Sequence, residues 1–264
     1  MNPIRTFSTD GVPALITRQG GGGWVTSLGP GAWRLSLTAT SSSTYALAQL
    51  DDYLHLPRSR FRWQAPLQLN LEARASASDL PGTWGFGLWN DPFAMPLGVR
   101  GSARRWPALP NAVWFFYASP QNALTLYDGL PPNGFLAATF SSPTWPSLAL
   151  LPAMPILAGL LWPPTARWLR RLLRHFIRQD TRRLDHDVTT WHHYSIHWQP
   201  NHVRFSADGN IVFETTIVPQ GRLGLVIWID NQYAAYTPQG QVRFGLEAMP
   251  PAWLEIRGLR IAGE

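Results

Sequence analysis

Apolar and polar residues alternate one by one through both flanks of this chain, and Gly, Pro, Asn and Asp cut the alternation into short pieces. A period of two places every second side chain on one face of a strand, so each piece can bury one face only. Residues 33–40 (Trp-Arg-Leu-Ser-Leu-Thr-Ala-Thr) and 66–75 (Pro-Leu-Gln-Leu-Asn-Leu-Glu-Ala-Arg-Ala) read this way. So do 83–90, 112–119 and 123–127, then 191–199, 202–207, 211–216, 221–230, 241–247 and 253–261. Turn residues at 199–201 (Gln-Pro-Asn) and 208–210 (Asp-Gly-Asn) separate successive runs. About ten or more short strands without intervening helices predict an all-β antiparallel sandwich or jelly roll. The length of 264 residues suits one such domain spanning 1–264, and no internal repeat divides it.

One segment breaks the pattern. Residues 165–184 carry seven Arg and one Asp, which equals the whole net charge of +6; the remainder is neutral. Leu169, Leu172, Leu173, Phe176 and Ile177 fall on one stripe at helical spacing, and Pro163 and Pro164 suit a helix entry. The segment predicts a basic amphipathic helix. An apolar, proline-broken run, 146–162, precedes it, and the two form an expected insertion at 141–186. Residues 148–162 number 15 with two internal prolines, short of the roughly 20 that span a bilayer as a helix. The N-terminus lacks the apolar core of a secretory signal. The expected location is therefore cytoplasmic, as a soluble protein or a peripheral one at a membrane face.

Composition excludes several chemistries. All 22 basic residues are Arg, so no lysine Schiff base can form, and without Cys there is no thiolate nucleophile or zinc-thiolate site. No glycine-rich dinucleotide loop, phosphate loop or nucleophile elbow occurs. His193 and His197 share a strand face but stand roughly 13 Å apart by strand rise, too far to share an ion. No metal or other cofactor is implied. A single basic stripe with no binding module around it points away from nucleic acid.

The hairpin Trp191-His-His-Tyr-Ser-Ile-His-Trp-Gln-Pro-Asn-His-Val-Arg-Phe-Ser-Ala-Asp-Gly209 resembles a signature of glycoside hydrolase family 16, of the concanavalin A-like lectin/glucanase fold. The matching positions are His192 or His193, Tyr194, Ile196, Trp198, Pro200, Asp208 and Gly209. Residues 61–74, 81–92 and 219–230 are similar to that family's cleft strands, so the likeness covers about two thirds of the chain. It implies the fold. The family's catalytic strand bears Glu-x-Asp-x-x-Glu, a nucleophile and a general acid held close together. By order along the chain those positions fall on Ala112, Trp114 and Tyr117, and no acid occurs from 102 to 126. The ordinary retaining mechanism has lost both its carboxylates.

What remains is a set of candidates. Asp52 and Asp91 could perform acid–base work if their surroundings split their pKa values. With Gln49, Trp89, Asn90 and Asp230 they could form a polar floor; each acid could equally cap a turn or pair with Arg. Trp84, Trp89, Trp114 and Tyr117, with Phe116, would make an aromatic cleft, or else belong to the sandwich core. Gly85 and Gly87, on one side of a strand, mark close approach of a ligand or of a neighbouring side chain. Trp162, Arg167, Trp168, Arg170, Arg171, Arg174 and Arg178 would contact an anionic membrane surface, unless the helix is a lid packed on its own domain. The expected function is non-hydrolytic binding of a hydrophobic or glycosylated small molecule. The alternatives are a divergent hydrolase, lyase, isomerase or cyclase using Asp52 or Asp91, and a carbohydrate-binding module.

Overall fold

The computed structural model describes residues 6–9, 12–92, 107–145 and 162–263. The cleft sheet joins β1 (Thr6–Thr9), β2 (Val12–Gly20), β5 (Leu47–Asp51), β14 (Gly224–Asp230), β7 (Thr83–Trp89), β8 (Ala112–Ala118), β9 (Gly134–Ser141) and β10 (Arg178–Arg183), in that spatial order. The back sheet joins β13 (Asn210–Thr215), β12 (Val203–Ala207), β11 (His192–Trp198), β6 (Leu67–Ala75), β17 (Ala252–Gly263), β4 (Ala32–Leu37) and β3 (Gly23–Gly29). A separate hairpin pairs β15 (Gln232–Tyr236) with β16 (Val242–Leu246). Every pairing between these strands is antiparallel. This is the all-β antiparallel jelly-roll sandwich that the alternation implied.

The period of two is visible in the packing. In β6, Leu67, Leu69, Leu71, Ala73 and Ala75 enter the core while the residues between them stay half-buried. Tyr194, Ile196 and Trp198 of β11 are buried on the same inner face, as the hairpin signature requires. Asp208 and Gly209 both take positive φ (50° and 79°), the geometry of a two-residue hairpin turn between β12 and β13. On the outer face of the back sheet, Glu255 accepts from Arg34 and Arg74, each at 2.7 Å, and Arg74 and Arg257 lie over the Trp191 ring.

The basic segment divides where one helix was expected. Helix α1 (Pro163–Phe176) closes with Ile177 N–H on Leu173 O, and Tyr127 Oη donates to the carbonyls of Arg174 and Ile177 at its end. From Arg178 the chain is strand β10, paired with β9 from Arg178↔Ser141 to Arg183↔Leu136. The helix prediction over 165–184 is thus right only to Phe176. Gln179 and Thr181 are buried on the cleft face, where Gln179 accepts from Leu126 N–H, while Arg178 and Arg182 stay exposed, and that alternation lets a polar stretch complete a sheet. The predicted strand 123–127 is a loop with one bridge, Ala123↔Ala235. Residues 142–177 connect β9 to its partner β10; the apolar run at 146–161 lies outside the described residues.

Candidate binding cleft

Parity decides which side chains of the cleft sheet face outward. On β7, Trp84, Phe86 and Leu88 enter the inter-sheet core; Thr83, Gly85, Gly87 and Trp89 take the other face. On β8, Val113, Phe115 and Tyr117 go inward, so Ala112, Trp114 and Phe116 face out. The register then lines up whole rows. One row runs Arg18, Gln49, Trp228, Gly85, Phe116, Leu136 across six strands. The next runs Ile16, Asp51, Val226, Gly87, Trp114, Ala138.

Above this face lies a cleft of about 530 Å³. Trp89, Trp114, Phe116, Phe140 and Trp228 supply its aromatic floor, and Tyr233 and Phe244 of the β15–β16 hairpin line it from another side. The rings form a connected set: Trp114 lies 5.7 Å from Trp89, 5.6 Å from Phe116 and 5.5 Å from Trp228, centroid to centroid. The glycines explain how. A Cβ at Gly85 would meet the Trp228 ring at 2.8 Å, and one at Gly87 would meet Trp114 Cβ at 2.5 Å. Gly87 also holds φ 153°, which side-chain-bearing residues rarely adopt. The two glycines therefore receive neighbouring side chains, and any ligand meets the rings rather than bare backbone.

Polar groups frame the floor. Trp228 Nε1 donates to Thr83 Oγ1 (2.9 Å), and Thr83 donates onward to Asp230 (2.7 Å). Asp230 also accepts from Tyr45 Oη and from the Gln232 amide, both at 3.3 Å. Burial still holds its carboxyl up at about 6, against the pull of those hydrogen bonds. Burial, with Asp230 beside it, pushes the Tyr45 phenol well above its ordinary value. Gln49 donates to Asp51 (2.8 Å), and Trp89 Nε1 donates to Tyr53 Oη (2.6 Å).

Gln49, Trp89, Asp91, Trp114 and Asp230, chosen from sequence, all line this cleft. Four others require correction. Trp84 and Tyr117 are core residues, their rings stacked 5.5 Å apart between the sheets. Asn90 is a staple: its side chain bonds Leu109 O and the Asn111 amide. Asp52 lies just past the end of β5, accepting from Trp63 Nε1 (2.6 Å) and the Leu225 amide (2.8 Å); burial raises it to about 6, but it does not line the cleft. The sequence reading passed over Arg18, Tyr45, Phe140, Trp228 and the hairpin residues. Trp228 was accessible by parity, two residues from Asp230, whereas the hairpin's position is a tertiary fact.

The cleft's two described acids stand far apart. Asp230 faces Thr83 at one end of β7, and Asp91 follows its other end. The six-residue rise of β7 alone is roughly 20 Å, against about 5–9.5 Å for a working glycosidase pair. Of the three positions that the sequence resemblance pointed to, Ala112 and Trp114 face the cleft and Tyr117 faces the core. Among the described residues no group of three His, Cys, Asp or Glu gathers to hold a metal.

Helix α1 docks beside the cleft through its basic side, contrary to a wholly solvent-facing arginine stripe. Arg170 is buried and donates to Thr125 O (2.6 Å), Tyr236 O (2.7 Å) and Asp128 (2.9 Å). Arg174 donates to Leu126 O (2.6 Å) and Asp128 (2.7 Å). These two are withdrawn from any membrane contact. Trp162, Arg167, Trp168, Arg171 and Arg178 are exposed. No described helix is long and apolar enough to cross a membrane.

Fold and cleft together define an antiparallel jelly roll with an aromatic cleft on one sheet. No family model and no curated protein matches the sequence. In fold the chain is similar to the Bacillus licheniformis β-glucanase (12% identity, TM-score 0.46, covering 94% of this chain and 87% of that one). It is similar also to the endo-β-1,4-glucuronan lyase of Trichoderma reesei (12%, 0.45, 100% and 91%). A third likeness is to a pseudo β-1,3-glucanase of Mycobacterium tuberculosis (12%, 0.45, 88% and 75%).

Proposed function

We propose that this protein binds a largely apolar small molecule, free or glycosylated, in its aromatic cleft without hydrolysing it. The observation that carries this reading is the floor itself: Trp114 is packed against Trp89, Phe116 and Trp228. Aromatic floors bind apolar bodies and sugar faces alike, and the separated acids offer no hydrolytic pair. Titrating the intrinsic tryptophan fluorescence with neutral N-phenyl-1-naphthylamine tests it. Saturable binding is expected, weakened about tenfold by Trp114→Ala, with no reducing ends released from β-glucan. Release of reducing sugar by the purified protein would overturn the non-hydrolytic reading.

A peripheral position on an anionic, cytoplasm-facing membrane accompanies this proposal. Its support is the exposure of Trp162 (65%), Trp168 (50%), Trp145 (44%) and Phe244 (66%), with Arg167 and Arg171 exposed on the helix that carries Trp168. Tryptophan and arginine together suit a headgroup boundary. The cleft-lining Phe244 lies on the hairpin whose turn, at Gly240, abuts Pro163 and Arg167. An apolar ligand would then enter from the lipid side.

A further inference from the structure

We infer that the cleft selects an amphiphile with one anionic head (a carboxylate, phosphate or sulfate), seated on Arg18 with its apolar body across Trp228 and Phe116. The inference deepens the binding function proposed above and rests on it.

Arg18 is the only cation lining the cleft among the described residues. It is half-buried and has no hydrogen-bond or ion-pair partner among them. The nearest cross-strand acid, Asp51, feels the Arg18 charge but makes no ion pair or hydrogen bond with it. Asp51 sits two residues beyond Gln49 and already accepts from Gln49 Nε2 (2.8 Å), Leu54 N–H (2.8 Å) and Tyr53 N–H (3.2 Å). Asp230 belongs to the row that ends at Gly20, not to Arg18's row, and its oxygens are engaged by Thr83, Tyr45 and Gln232. Asp91 lies beyond the opposite end of β7.

Guanidinium cannot shed its proton to escape burial. A neutral ligand covering the Trp228 end of the floor would strip water from Arg18 and leave the charge unpaired, which is costly. A ligand that brings an anion removes that cost and gains a charge-assisted, two-pronged contact. Position agrees with charge. Arg18 opens the row that continues through Gln49, Trp228, Gly85 and Phe116. Four inter-strand steps make this row about 19 Å long, polar at one end and aromatic at the other. Because the Trp228 ring covers Gly85, the row has no bare gap.

The experiment compares dodecanoate, dodecyl phosphate and dodecanol, each below its micelle concentration, by displacement of N-phenyl-1-naphthylamine. The native protein should bind both anions about tenfold or more tighter than the alcohol. Arg18→Gln should erase that preference by weakening both anions without weakening dodecanol, and Arg18→Lys should restore part of it. Circular dichroism would verify that both variants fold. Preference for one anion over the other assigns the head as carboxylate or phosphate. Equal binding of alcohol and anions by the native protein, or a preference that survives Arg18→Gln, overturns the inference and leaves the apolar cleft standing. If the bound probe is displaced by none of the three, the inference fails, and if the probe itself does not bind, the binding function fails with it.

Discussion

Asp230 shows how a single buried acid sets a pH response. Its folded pKa of about 6 lies above the ordinary carboxylate value near 3.9. As pH rises, the unfolded chain gives up this proton first, so the folded state loses relative stability between about pH 4 and pH 6 and then levels off. Asp52, also raised to about 6 by burial, acts in the same sense. Two pKa units on one such group amount to about 3 kcal/mol. Glu255 acts oppositely: Arg34 and Arg74 hold it below its usual value, and its contribution is lost at more acid pH. Asp230→Asn keeps the acceptor for Thr83 and can donate to Tyr45. Its thermal midpoint should exceed that of the native protein at pH 7, and the gap should close below about pH 4. A gap that stays constant with pH would show that Asp230 is not the titrating group.

At the level of elements, α1 is held by Arg170 as well as by the buried Ala166, Leu169 and Ile177. Arg170 joins the loop of Thr125 and Asp128 to β15 through three hydrogen bonds, and only Leu172, Leu173 and Phe176 of the apolar stripe remain half-buried. Arg170→Met strands those acceptors and should cost about 2–4 kcal/mol in urea unfolding. Arg171→Met, on the exposed side, should stay within about 0.5 kcal/mol. Similar losses in both variants would contradict the docking described. Strand identity was legible where a clean alternation survives: β6, β11 and β12 lie within a residue of their predicted bounds. β5 and β9 were missed because both of their faces are covered, and alternation vanishes when nothing is left outside. β10 was read as helix because its arginines continue the helical charge pattern. The site suffered from the same rule applied incompletely. Trp84 and Trp89, or Trp114 and Tyr117, are an odd number of residues apart and cannot share a face of a regular strand.

For the whole molecule, the net charge is localised but only partly available. Arg170 and Arg174 are committed to Asp128, leaving Arg167, Arg171, Arg178, Arg182 and Arg183 exposed. Deleting the entire basic segment would also tear β10 from the sheet, so point changes are the sound test of membrane contact. Co-sedimentation with phosphatidylglycerol-containing vesicles should fall about tenfold in a Trp162→Ser, Trp168→Ser double variant. Undiminished binding would place the contact elsewhere, or nowhere on this helix. The strand position of Arg178, Arg182 and Arg183 has another consequence. β10 is one of the two outermost described strands of its sheet, and an edge strand is a template on which further copies can grow. A chain with charge on only 14% of its residues has little else to keep molecules apart. Like charges meeting strand to strand repel, so these arginines favour colloidal dispersion over fibrous or amorphous self-association.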